Sequence, residues 1–137
     1  MLLATELTSV SDGATDEAVE LSRSLAARLL VVNVIDPRAG LGSPFTASAP
    51  SRLDQLRSER ERKLLTIVER ARAAGVEATF LVWTGEPGQS IVSAAEAEKA
   101  DLVVIGTRAL DRAGRFLLGS VSDYVANRSP CPVLICR

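Results

Sequence analysis

The sequence has no histidine. That absence excludes a Ser-His-Asp or Cys-His nucleophile and any histidine-ligated zinc. Cysteine is scarce as well. Cys131 and Cys136 form neither a CxxC redox motif nor a zinc pair. On an extended strand their side chains point to opposite faces and lie beyond disulfide reach, so both read as small apolar strand residues. Neither sign of charge is in excess: 16 Lys+Arg stand against 17 Asp+Glu, a formal net charge of −1. The chain therefore exerts no broad attraction on nucleic acid or an anionic membrane. No apolar run approaches the ~20 residues needed to cross a bilayer. The N-terminus lacks the basic region and long apolar stretch of a signal peptide, which makes the cytoplasm the expected compartment.

What is present is an ordinary globular mixture, 47% hydrophobic and 24% charged over 137 residues. The length suits one domain spanning residues 1–137, large enough to bury about two thirds of its unfolded surface without a metal or disulfide staple. Short apolar runs at Leu29–Ile35, Thr79–Trp83, Leu102–Ile105 and Pro132–Cys136 predict buried strands, with a weaker one at Leu2–Thr5. Continuous apolar character suits strands covered on both faces of a parallel sheet. Between them, helical spacing runs through Asp16–Leu29 (Ala18, Leu21, Leu25, Leu29), Arg52–Ala74 (Leu53, Leu56, Leu64, Ile67, Val68, Ala71) and Gln89–Lys99 (Ile91, Val92, Ala95). Pro87 and Gly88 read as a turn before the third helix, Gly75 as a left-handed terminator of the second, and Ser120–Arg128 as a short fourth helix. The β-α-β-α-β-α-β-α-β order predicts an open parallel α/β sheet with helices on both faces, and a ligand beyond the carboxyl ends of its strands. Asp36–Pro50, rich in Pro, Gly, Ser and Ala, reads as a long loop, either a lid or a connector.

The segment that carries chemistry is VIGTRALDRAGRFLLGSVSDYV, Val104–Val125. A strand ends at Gly106, a polar loop containing Gly114 follows, and Gly119 and Ser120 open a helix. A helix N-terminus offers unpaired N–H groups and partial positive charge, and glycine lets a phosphate approach the backbone. The hydroxyls of Ser120 and Ser122 are further donors, and Arg108, Arg112 and Arg115 can neutralise phosphate charge. Ser120 is equally an ordinary N-cap and Gly119 an ordinary turn residue. The residues alone leave a phosphate cradle and a plain turn both open. The segment is neither a Walker A loop nor the Rossmann fingerprint.

The chain resembles the universal stress protein family over nearly its whole length. The likeness lies in LLATE, VVNVIDP, TGEPGQSIVSAAEAEKADLVVIGTR and RFLLGSVSDYVANRSPCPVLICR. The family's nucleotide motif, G-x2-G-x9-G-[S/T], falls on Gly106, Ala109, Gly119 and Ser120 with matching spacing. The resemblance implies an open parallel five-stranded sheet of order 3-2-1-4-5, Rossmann-like and adenine nucleotide alpha hydrolase-like, with helices on both faces. It implies a homodimer formed through the last strand, here Val133 to Cys136. It also implies an ATP cofactor, with Mg²⁺. The adenosine would lie at Ala4, Thr5, Glu6 and Val34, and the phosphates along Gly106, Arg108, Gly119, Ser120, Val121 and Ser122.

The sequence departs from that pattern at three places. Ala109 stands where the motif has its second glycine, Glu6 where the family has an aspartate, and the Leu7–Asp16 segment carries about four extra residues. Asp12 is an alternative carboxylate to Glu6. Two readings follow: an adenine-nucleotide-dependent regulator in the stress response, or a stress protein that binds no nucleotide and serves as a dimeric interaction module for another protein. No catalytic residue or metal ligand is assigned, and hydrolysis is expected to be slow at most. Of the remaining features, RSERERK reads as a solvated helix face with i,i+4 pairs, and Trp83 and Tyr124 as packing residues rather than base-stacking ones. Glu96 and Glu98 face different directions and are no catalytic pair.

Overall fold

The fold is given by a computed structural model, which describes residues 1–8, 11–38, 49–107 and 119–136, without the side chains of 49–51. The elements alternate as the sequence pattern requires: β1 (Leu2–Ala4), α1 (Asp12–Ser24), β2 (Leu29–Ile35), α2 (Ala49–Ala73), β3 (Ala78–Thr84), α3 (Pro87–Ala97), β4 (Val103–Gly106), α4 (Ser120–Arg128) and β5 (Val133–Cys136). The five strands form one parallel sheet in the order β3-β2-β1-β4-β5. β1 is central, with Leu3 beside Val31 on one side and Val104 on the other.

Alternation along the strands sends apolar residues to both faces. Leu3, Val31, Ile35 and Val104 pack with Ala14 and Ala18 of α1 and with Leu64, Val68 and Ala71 of α2. Leu2, Ala4, Val32, Val103 and Ile105 pack with Ile91, Ala94 and Ala95 of α3 and with Val125 of α4. This two-sided burial is why the strands read as unbroken apolar runs. Among the described residues no helix is long and apolar enough to cross a membrane.

Helix boundaries moved where local chemistry differed from the expected stripe. α1 begins at Asp12, not Asp16, and ends before Leu25. Its buried face is Ala14, Thr15, Ala18 and Ser22, small residues that let the helix lie close to the sheet. Leu25 is not on that face. It is the C-cap and is 64% exposed, and Leu29 already belongs to β2. α3 likewise begins at Pro87, so Pro87 and Gly88 form its first turn. The Glu86 carboxylate accepts from Gly88 N and Gln89 N (3.1 and 2.7 Å), and proline suits the first helical position because it has no N–H to satisfy.

α2 ends as expected. Gly75 has φ +83°, Gly75 N donates to Arg72 O and Val76 N to Ala71 O, the paired bonds of a Schellman motif. The RSERERK run carries the expected i,i+4 pairs, Arg57–Glu61 and Lys63–Glu59, both exposed. Cys131 and Cys136 are free thiols, and burial, then the Glu17 charge, pushes the Cys136 thiol up. Trp83 and Tyr124 are partly buried. Trp83 packs on the α3/α4 side of the sheet, and the Tyr124 ring lies against the Arg128 guanidinium, 5.2 Å away. Most of the Asp36–Pro50 loop, and with it the expected lid, lies outside the described residues. Its last two residues, Ala49 and Pro50, are already in α2.

Candidate functional site

The chain runs from β1 outward to β3, then returns to place β4 on the other side of β1. At that reversal the connections leave in opposite directions and open a crevice at the strands' carboxyl ends. A cleft of about 460 Å³ lies there. Its floor is Ala4, Val32, Ile105 and Gly106. One wall is Thr5, Glu6, Thr8 and Ser11 with Leu56 and Arg60 of α2, and the other is Pro87 and Ile91 of α3 with Gly119–Ser122 at the start of α4. Its size is within the ordinary range for a small-molecule site.

The β1 end of the cleft is built on a web of short side chains. Thr5 Oγ1 donates to Ser11 Oγ (3.0 Å) and accepts from Leu7 N (3.1 Å). Ser11 Oγ donates to Thr8 O (2.7 Å) and accepts from Thr8 N (3.2 Å). Thr15 Oγ1 of α1 donates to Ser11 O (2.9 Å). Leu7 takes φ +60° within this turn. These bonds tie the end of β1 to the start of α1.

At β2 the ladder itself opens the site. The last β1–β2 bond is Thr5 N to Val32 O at 3.0 Å. Backbone groups of alternate residues in a parallel strand face the same neighbour, so the next β2 residue turned toward β1 is Val34. β1 has ended there, and among the described residues the Val34 N–H and C=O meet no backbone partner at the cleft edge. The intervening Ile35 is turned the other way, its carbonyl accepting from Gly85 N beyond β3 (3.0 Å).

The α4 end supplies donors of a different kind. Gly119, not Ser120, is the N-cap, with φ −64° and ψ 152° and no side-chain cap bond. The contrast with α3 is chemical: the Glu86 side chain caps that helix's first N–H groups, whereas the α4 cap is a glycine with no side-chain bond among the described residues, and the acidic residue of its first turn is Asp123. Ser122 is buried and its hydroxyl donates to Gly119 O at 2.9 Å, so its proton is used within the turn rather than offered to a ligand. Ser120 is exposed at the cleft.

The sequence of residues 1–137 matches the profile of the universal stress protein family across its length. The chain belongs to the universal stress protein family. It is 33% identical to the universal stress protein YxiE of Bacillus subtilis, over all of this chain and 97% of that one. It is 43% identical to a universal stress protein of Thermus aquaticus over 81% of this chain and 78% of that one. The solved universal stress protein of Archaeoglobus fulgidus superposes with a TM-score of 0.78 at 23% identity, covering 99% of this chain and 96% of that one, and shows the same fold. A universal stress protein solved in complex with cAMP is 30% identical, with a TM-score of 0.71 over 99% of this chain and 94% of that one.

Set against this universal stress protein fold, the site expected from sequence converges. Ala4, Thr5, Glu6, Val34, Gly106, Gly119, Ser120, Val121 and Ser122 all line the one cleft. Arg108 and Ala109 lie outside the described residues, as do Arg112, Gly114 and Arg115. Asp12 is exposed on the first turn of α1 and does not line the cleft, so it does not stand in for Glu6. Because α1 starts at Asp12, part of the apparently extended Leu7–Asp16 segment is helix rather than loop.

Arg60 and Asn33 are among the lining residues that were not anticipated. Arg60 belongs to the run read as a solvated face, yet its Nη1 donates to Glu6 O at 3.2 Å. Asn33 is 3% exposed and its Nδ2 donates to Thr5 O at 2.8 Å. Both carried a signal. Asn33 is the one polar residue inside LLVVNVI, and Arg60 interrupts the α2 apolar stripe midway between Leu56 and Leu64.

Proposed function

We propose that this universal stress protein is a homodimer that binds ATP or another adenine nucleotide in the cleft and acts as a nucleotide-dependent regulator in the stress response. The observation that carries the reading is the pairing of two kinds of backbone site in one crevice. Among the described residues, the Val34 N–H and C=O have no backbone partner and suit the hydrogen-bonding edge of an adenine, and the α4 start has no side-chain cap and suits phosphate. Gly119 keeps a side chain out of the phosphate end. The cAMP-bound universal stress protein, at 30% identity over 99% of this chain, supports an adenine nucleotide in this fold. ATP supplies charge and a hydrolysable phosphate when bound. The chain's own part is to seat the base at Val34 and hold the phosphates at Gly119–Ser122. The homodimer reading is supported by β5, an edge strand whose residues are all half-buried and whose outer side is unpaired in the sheet.

The test is isothermal titration of the full chain with ATP and Mg²⁺, AMP and cAMP. Saturable heat is expected with at least one of them. Trp83, the only tryptophan, pairs in register with Val34, so its fluorescence should change with the same midpoint. No saturable heat at millimolar nucleotide supports the second reading, a dimeric interaction module without nucleotide, which Ala109 and Glu6 favour. Ala109→Gly separates the two, since binding created only in that variant assigns the native chain to the second.

A further inference from the structure

The sheet has two edge strands, β3 and β5. In the β2–β3 ladder, Leu29 N donates to Glu77 O (2.9 Å) and Gly85 N to Ile35 O (3.0 Å). Backbone groups of alternate residues in a parallel strand face the same neighbour, so the odd-numbered residues of β3 face β2, and Ala78, Phe80, Val82 and Thr84 turn theirs outward. An edge that presents such groups is a template for pairing with another chain. Two of these outward carbonyls are taken by arginines of α2. Arg72 Nε and Nη2 both donate to Ala78 O (3.1 and 2.8 Å), and Arg57 Nη2 donates to Val82 O (3.1 Å).

The arrangement is built into α2. Arg57 and Arg72 stand about four helical turns apart, which brings them near the same side of the helix. The later arginine meets the start of β3 and the earlier one its second half, the order that an antiparallel helix and strand require. Arg57 is held at a second point, its Nε donating to Glu61 Oε1 at 3.3 Å. Paired strands lie only about 4.8 Å apart, so a guanidinium bonded to an outward carbonyl stands where the N–H of an arriving strand would have to be. The bond is also charge-assisted, and stronger than the backbone bond that would replace it. Among the described residues, no arginine bond of this kind lies on the outward groups of Val133 and Ile135 at β5.

We propose that Arg57 and Arg72 guard the β3 edge, barring it from strand pairing with a second copy of this chain and leaving β5 as the edge through which copies can pair. The guard is independent of nucleotide. It bears on the homodimer reading through closure: with β3 barred, pairing through β5 stops at two copies, whereas with both edges open each copy has two pairing sides and the assembly keeps growing. The alternative role for the two arginines, bracing α2 on β3, affects stability and leaves the assembly unchanged.

The experiment compares the full-length wild type with the double variant Arg57→Ala/Arg72→Ala by sedimentation over a concentration series. Circular dichroism is the control for folding, and hydrogen exchange follows the backbone of Ala78–Thr84. The double variant is expected to reach at least about twice the wild-type mass at the highest concentration, with new exchange protection over Ala78–Thr84. Arg57→Ala alone bares Val82 O, and because the Arg57 side chain is 50% exposed it carries the test if the double variant folds poorly. A mass equal to the wild type's in each variant that folds, or growth without added protection over Ala78–Thr84, overturns the guard. The wild-type mass reports separately on the homodimer. A wild-type monomer that pairs only in the variants, with that protection, keeps the guard and removes the β5 pairing.

Discussion

Gly119 separates what the fold needs from what a ligand needs. Its backbone angles are open to any residue, and among the described residues a Cβ there meets nothing nearer than Ser122 Oγ at 3.6 Å. The described residues therefore leave room for a methyl group. Gly119→Ala should change unfolding free energy by no more than about 1 kcal/mol, the scale of an N-cap substitution. Gly119→Val should abolish nucleotide binding while the chain stays folded, because its side chain projects at the phosphate end of the cleft. Urea titration and calorimetry on the same samples check this. A stability loss comparable to the binding loss would assign Gly119 to the fold instead. The glycine motif was legible as spacing alone, whereas the contributions of Asn33 and Arg60 were not. Their roles depend on Thr5 and Glu6, 28 and 54 residues away in sequence, and no local pattern encodes such partners.

At the scale of elements, the wall between α3 and α4 depends on close approach at Gly88. A Cβ there would stand 2.9 Å from Tyr124 Cδ1 and 3.1 Å from Tyr124 Cβ, so it would meet the root of the ring rather than a movable end. Gly88→Ala should lower unfolding free energy by about 1–3 kcal/mol, the usual cost of overpacking. The same change in a Tyr124→Ala background should cost clearly less, and denaturant titration of the four proteins measures the difference. Equal cost in both backgrounds would rule out the contact as the cause. Sequence reading placed Gly88 in a turn because Pro-Gly usually marks one. The turn became helix because the Glu86 carboxylate is there to cap it. α1 shows the converse. Leucine spacing suggested its buried stripe, but the sheet accepts the small face through Ala14, Ala18 and Ser22 and leaves Leu25 outside.

For the whole molecule, the open question of assembly falls on β5. In its parallel ladder with β4, Val103 N donates to Pro132 O and Thr107 N to Cys136 O, so the even-numbered residues of β5 face β4. Val133 and Ile135 turn their backbone groups outward, where a second copy can pair. Sedimentation at micromolar concentration should give twice the 14.5 kDa chain mass. Ile135→Pro removes an outward N–H while sparing the β4 ladder and should shift the protein toward monomer with its circular dichroism retained. A wild-type monomer would overturn the β5 pairing.

The order of elements and the two-sided sheet follow from local pattern, and the family resemblance pointed to the cleft's glycine and β1 residues. Apolar runs, helical spacing and motif distance are properties of neighbouring residues, and burial on both faces of a parallel sheet leaves a plain trace in them. Three things depended on the packed chain: which face of α1 is buried, that the Val34 backbone is left without a β1 partner by the early end of β1, and that Arg60 turns from a charged helix face into the cleft. Each is set by where distant segments stop or meet, and such contacts exist only once the sheet has brought them together.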